Sequence, residues 1–369
     1  MKSTLPISSE SGIVLPRLSN EVTHQFNAVD SLDKLYVCLH AMIQAQAIPT
    51  LETFLKPYLR ANADDWQQSV MQIVVDFIDV VDRLPKEYRY HPYVDIFKGS
   101  CRRAKLQQLS EKWEKLKREC SLGSIIEWEA RVFCIFTANL KHVFIQCQTP
   151  SVKTILNVIA YEATQRLNEY CKYTEALFAT NDRLVVIRLD LFYRKNLLVL
   201  PSLHRLNDDL GHLFDNMRGN QLFNGVVGRI VKLEYGIEKG VHSHVTLFFN
   251  GSVCKPSSHI YLAQQIGEYW RDKVTNGDGD YWNCNKHSAD FKSLGRCAVG
   301  LIHGSDEEGR RNVHEQIVKY ACKTEQMIKV KTGDQIKTIK RGVMPEIPNV
   351  KLGRPRKQEW RPLPDYGVL

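Results

Sequence analysis

The feature that most constrains this chain is a pair of β-rich runs, Val227 to Tyr235 and Val241 to Phe249, separated only by the short stretch from Gly236 to Gly240. Two strand-like runs around a brief Gly-containing connection read as a β-hairpin, so the two runs must pair antiparallel. Asn250-Gly251 ends the second run with a turn signal. The flanking sequence supplies the rest of a layered fold. Arg183 to Phe192 is a β-branched run with the composition of a strand crossing a sheet, and a helical stretch from Leu203 to Met217 separates it from the hairpin. After the hairpin come a helix from His259 to Val274, a polar loop from Asn276 to Tyr281, and a short strand from Cys297 to Ile302. A helix from Asp306 to Gln326 follows, with acids in its first turn. The order β-α-β-β-α-β-α predicts an α+β domain, an antiparallel sheet with helices packed on it.

The chain before this domain has a different texture. Residues 1–22 are polar and aperiodic and read as a flexible arm. Over residues 23–150, apolar side chains recur at helical spacing: Leu32, Leu35, Leu39 and Met42, then Val70, Ile73, Val74, Phe77 and Val81, then Leu106, Leu109, Trp113 and Leu116. This predicts an all-α unit whose amphipathic helices pack on one another. The sheet domain is expected over 165–330 and a basic, extended tail over 331–369. A hydrophobic content of 43% with 25% charged residues is that of globular protein. Neither a long apolar run nor a secretory start at Met1 to Glu10 is present, which gives a cytoplasmic expectation. The ten cysteines include no Cys-x-x-Cys pair, arguing for reduced thiols and against a structural zinc knuckle.

Charge is unevenly placed. Of a net +9, the stretch from Met327 to Arg361 carries ten Lys or Arg against three acids. An acidic polymer such as DNA is the partner such a tail suits. Within it, Gly353-Arg354-Pro355-Arg356-Lys357 resembles the core of an AT-hook, which lays arginines along the narrow minor groove of duplex DNA; a solvated basic tail binding phosphate without sequence preference is the plainer reading.

Two constellations carry chemistry. His242 and His244 lie two apart on a strand, so both imidazoles project from one face. Glu234 precedes them on the partner strand, and the hairpin can bring it across from them. Two nitrogens and one oxygen suit a divalent ion such as Mg²⁺ or Mn²⁺ with open positions for phosphate and water, and zinc is chemically possible. Ser243, between the histidines, points to the opposite face. In the last helix Tyr320 and Lys323 are three apart and share a face, setting a phenol beside an ammonium. A phenol is a weak nucleophile at its ordinary pKa near ~10, and a neighbouring cation and a metal-bound phosphate would both assist it. On the first strand, Arg188 and Asp190 also share a face and could reach DNA or the metal's surroundings, or form a structural ion pair.

Taken together, Lys232-Leu-Glu234-Tyr235, then His242-Ser-His244-Val-x-Leu-Phe-Phe-Asn-Gly, then Lys319-Tyr320-x-x-Lys323-Thr-x-Gln resemble the YagK/YfjJ carboxy-terminal domain family of prophage and inovirus-type replication proteins, within the HUH endonucleases. The resemblance covers roughly residues 165–330. It implies His242, His244 and Glu234 as metal ligands, Tyr320 as nucleophile and Lys323 as its electrostatic helper. It further implies Arg188 and Asp190 on a strand that contacts DNA near the nick. The implied activity is single-strand nicking and joining that initiates rolling-circle replication at an origin in a bacterial host, a host polymerase or helicase following. Relaxases and transposases share this chemistry, and a DNA-binding regulator that does not cut is the alternative outside the enzymes. No second tyrosine lies close to Tyr320 on its helix, which favours single-tyrosine chemistry.

Overall fold

The computed structural model describes residues 35–46, 50–55, 66–83, 88–108, 112, 115, 122–195, 197, 201–236, 240–322, 328–330, 336–347 and 360–363. The helix-spaced apolar residues of the first half do form helices: α1 (residues 35–44), α2 (Leu51–Leu55), α3 (Trp66–Arg83), α4 (Pro92–Arg103) and α5 (Leu122–Cys147). Their inward stripes, among them Leu35, Leu39, Phe54, Val74, Phe77, Phe97 and Phe136, make one buried cluster, with edge-on ring contacts such as Phe97 with Phe136 at 5.9 Å. α4 begins where Pro92 sets the first helical residue and the His91 ring accepts from the Tyr93 amide. This part is not wholly helical. A short strand, β1 (Tyr88–Tyr90), lies within it and pairs with β7 (Ile328–Val330) from the end of the segment expected as the sheet domain. A three-residue strand gains its stability from its partner, so neither half could be read alone. Of the third apolar stripe, Leu106 is fully buried while Leu109, Trp113 and Leu116 lie outside the described residues, as do Leu32 of the first stripe and the arm at 1–22.

The join between the two halves is a single helix, α6 (Pro150–Thr180), where the sequence suggested a break before residue 165. Its first half is exposed at Ile155, Val158 and Tyr161, and its second half buries Tyr170, Tyr173, Leu177 and Phe178 against the sheet. The sheet follows: β2 (Arg183–Tyr193), β3 (Val226–Gly236), β4 (Gly240–Asn250), β5 (Gly279–Asn283), β6 (Gly300–His303) and β8 (Ile339–Arg341). The order is β5-β2-β4-β3-β8, with β6 pairing the other end of β2, and every pairing is antiparallel. The chain is therefore α+β, with an open antiparallel sheet of six strands.

Both faces of the sheet are covered, which explains why β2 and β4 read as nearly unbroken apolar runs. One face, with Ile187, Leu189, Leu191, Val245, Leu247 and Phe249, packs on α7 (Leu203–Asp215) and α8 (His259–Tyr269) through Leu206, Leu210, Leu213 and Ile266. On the other face, Leu184, Val186, Ile230 and Phe248 are covered by α6 and by the last helical stretch. That stretch runs as α9 (Glu307–Val313), a π-helical turn (His314–Val318) and α10 (Lys319–Cys322), its start capped by Asp306 accepting from Gly309 N at 2.9 Å.

The polar stretch read as a loop at 276–281 turns into β5 from Gly279 onward, because the exposed edge of β2 from Leu189 to Tyr193 offers it backbone partners. The described parts of the tail pack on the domain. Ile339–Arg341 adds to the sheet beside β3, and residues 360–363 dock on α9, where Arg310 gives a hydrogen bond to Arg361 O at 2.9 Å. Among the described residues no helix is long and apolar enough to cross a membrane.

A candidate metal centre faced by a tyrosine

Strand register places the site. Glu234 pairs directly with His242 across the β3–β4 hairpin, and Asp190 of β2 pairs with His244 from the other side. Paired residues share a face, so one carboxylate from each neighbouring strand converges on the two rings of the central strand. This face is apolar at one end, with Leu184, Val186 and Phe248, and polar at the other, where Asp190, Lys232, His242 and His244 are all at most 8% exposed. Ser243 faces the opposite core, fully buried, and its Oγ has no hydrogen-bond partner among the described residues.

The donor atoms of Glu234, His242 and His244 lie within 4.8 Å of one another, and the group could hold a metal ion. Their orientation suits that use. The His242 Nδ1 lies 3.0 Å from Gly240 O and the His244 Nδ1 lies 2.6 Å from Asp190 Oδ1, leaving Nε2 of each ring toward Glu234, at 3.7 and 3.2 Å. A ligating imidazole held through its other nitrogen by a carbonyl or carboxylate is the usual outer-shell arrangement of metal sites. Burial pulls the His244 pKa down, but the hydrogen bonds and charges of Asp190 and Glu234 outweigh it and leave the ring above its ordinary value. For Glu234 burial acts upward, and the bond to His244 with the charges of His244, Lys232 and His242 turns the net shift downward. The carboxylate charge that raises the His244 pKa is the charge a divalent cation would neutralise, displacing any proton on that ring.

Tyr320 reaches the same spot from a different layer. Its hydroxyl is 3.2 Å from His244 Nε2, the rings meet edge-on at 5.1 Å, and the side chain is 37% exposed, open to an incoming ligand. The π-helical turn just before α10 is a distortion often found beside functional residues. Burial, then the charge of Glu234, push the phenol up to about 12, and Arg188 acts in the opposite direction. Arg188 lies over the Tyr320 ring at 5.0 Å and donates to Gln316 O at 2.9 Å. Arg188 and Asp190 are thus engaged with different partners, the first with the tyrosine helix and the second with His244.

Lys323 lies outside the described residues, as do Arg354, Arg356 and Lys357. Three contributors were given no role from the sequence, although Lys232 stands in the motif that begins Lys232-Leu-Glu234. Lys232 was legible, being two residues before Glu234 and so on its face. Cys284, whose Sγ is 3.9 Å from Asp190 Oδ1, and Asn285 carried no local signal. Asn285 is fully buried in the gap between β5 and β6, where its side chain accepts from Arg188 N and donates to Val186 O, both at 2.9 Å. It supplies the partners that β2 lacks between its two edge strands.

Comparison of the chain with models of known protein families, with curated proteins and with solved structures found no match. What defines the protein's class is therefore its own architecture: an α+β chain whose open antiparallel sheet carries a Glu-His-His group able to hold a metal ion.

Proposed function

We propose that this chain is an HUH-type endonuclease that nicks and rejoins single-stranded DNA, as a rolling-circle replication initiator does. One observation carries the reading: a half-exposed tyrosine on one layer brings its hydroxyl to 3.2 Å from a ring of a Glu-His-His group built on another. A buried metal site of purely structural use has no need of a phenol at its open side, whereas phosphoryl transfer needs a nucleophile at the cation.

Glu234, His242 and His244 would hold a divalent cation, Mg²⁺ or Mn²⁺, which when bound supplies charge withdrawal from a non-bridging phosphate oxygen. Tyr320 Oη attacks phosphorus, forming a phosphotyrosyl bond as the bond to the 3′ oxygen breaks. The phenolic proton leaves to solvent, and the departing 3′ oxygen takes up a proton to become a hydroxyl. Arg188 over the ring favours the developing phenolate, and Asp190 keeps His244 turned with Nε2 forward. The ester bond is exchanged and not hydrolysed, so the step reverses to rejoin ends. The basic tail would add phosphate contacts to duplex DNA, and the free 3′-hydroxyl would prime a host polymerase.

The test is a covalent trap. A 3′-end-labelled pool of single-stranded oligonucleotides of random sequence, incubated with Mn²⁺, should give a labelled protein band that survives denaturing electrophoresis. Tyr320→Phe should abolish it while leaving the melting temperature nearly unchanged, since only a half-exposed hydroxyl is lost. An adduct mapped by mass spectrometry to another residue would refute the assignment, as would undiminished adduct in Tyr320→Phe.

A further inference from the structure

The sheet edge next to the candidate metal centre holds a second arrangement that the tyrosine chemistry does not use. Trp282 of β5 pairs with Asp190 in register, so its side chain leaves the same face as the metal group. Adjacent strands are about 4.8 Å apart, which puts Trp282 roughly 10 Å across the sheet from the His244 backbone, two strands away. It is the one tryptophan among the exposed large apolar side chains of the described residues, at 51% exposure. His287 covers one face of it in a near-parallel stack, with centroids 5.1 Å apart and planes 9° from parallel.

The two rings line a cleft of about 230 Å³ at the β5 edge, together with Lys286, Arg271 and Asp280. That volume is below the ~300–1,000 Å³ of pockets that enclose a whole drug-sized ligand, and suits one ring system. Asp280 Oδ1 accepts from Tyr281 N at 2.8 Å, which fixes the carboxylate on the strand but leaves its charge in the cleft. Arg271 is paired with Asp272, whereas Lys286 makes no ion pair among the described residues. The platform is held from below. Tyr281 lies so close to Gly267 of α8 that a Cβ there would meet its ring at 2.2 Å, so glycine is what lets β5 seat and present Trp282 outward.

We propose that this cleft seats an unpaired nucleobase of a single strand, stacked on the free face of Trp282, with Lys286 at its phosphate. The inference rests on the nuclease reading for where the strand goes next, but its own content is single-strand binding. An exposed aromatic face with an adjoining cation is how sequence-tolerant single-strand sites are built, each stacked base contributing about 1–3 kcal/mol. A duplex keeps its bases stacked on each other and offers none to the ring. The shared face also sets a path for the strand, between the platform and Tyr320 across β2.

Binding of a short fluorescein-labelled oligodeoxythymidine, followed by anisotropy in chelator so that no cleavage occurs, separates this from the chemistry. Trp282→Ala should weaken binding about 5- to 150-fold and Trp282→Phe should restore most of it. Lys286→Gln should lower the slope of log affinity against log salt by about 0.7. A duplex of equal length should show no dependence on Trp282. Wild-type affinity in Trp282→Ala, or a wild-type protein that binds no single strand, overturns the proposal. Loss of binding in Trp282→Ala without any tyrosine adduct in wild type would sustain this inference while removing the nuclease reading.

Discussion

Replacing Asp190 tests whether the carboxylate on β2 is part of the metal centre or merely a neighbour. Its Oδ1 lies 2.6 Å from His244 Nδ1, and both residues are 8% exposed. A buried charge-assisted bond of that length contributes about 1.5–3 kcal/mol. In Asp190→Ala the ring loses both the partner that fixes its rotation and the charge that makes Nε2 a better donor, and loss of such a partner costs about 10–100-fold in metal affinity. That range is roughly 1.4–2.7 kcal/mol. Asp190→Asn keeps an acceptor without the charge and should fall near the lower end. One effect opposes these: without Asp190 the His244 pKa drops toward its ordinary value, so protons compete less with the metal. Calorimetric titration with Mn²⁺ should therefore be repeated at rising pH, which reduces that competition, with circular dichroism melts confirming the fold. If Asp190→Ala binds Mn²⁺ as wild type does, Asp190 does not position His244 for a metal and the reasoning fails.

Asn285→Ala would leave Arg188 N and Val186 O of the central strand without their bonds in a fully buried gap, which should cost about 2–5 kcal/mol by urea denaturation; a change below 1 kcal/mol would mean water replaces the side chain. In chelator, the raised His244 pKa stabilises the folded state below 6.5, and this contribution is lost as pH rises through the folded value, so wild type should lose stability on going from pH 6.5 upward relative to His244→Gln; parallel curves for the two proteins would contradict it. Deleting residues 360–369 removes Trp360, Arg361 O and Leu363 N from the buried Arg310–Glu175 pair and should lower stability by about 2 kcal/mol, whereas alanine at Arg354, Arg356 and Lys357 should only flatten the salt dependence of DNA binding; an unchanged melting temperature after the deletion would show that the segment adds nothing to the fold.

The sequence by itself determined what depends on local spacing. The hairpin from Val226 to Asn250 follows from β-branched runs around Gly236 and Gly240, and with period two it sets His242 and His244 on one face and Ser243 on the other. Glu234 across from His242 follows from the same turn. The α+β class follows because helical and strand periods alternate along the second half of the chain. Tertiary structure alone decided what depends on pairing between distant segments. β1 with β7, β5 and β8 are strands of three to five residues whose composition is unremarkable, and they form because another strand presents unpaired backbone groups. Arg188 and Asp190 were visible as a pair on one face. That one lies over Tyr320 and the other holds His244 depended on how α10 and β4 pack around β2. Asn285 gave no warning at all, since its task is set by a gap between two strands that pair elsewhere along β2. Spacing along a chain fixes which way a side chain faces, but only packing fixes what it faces.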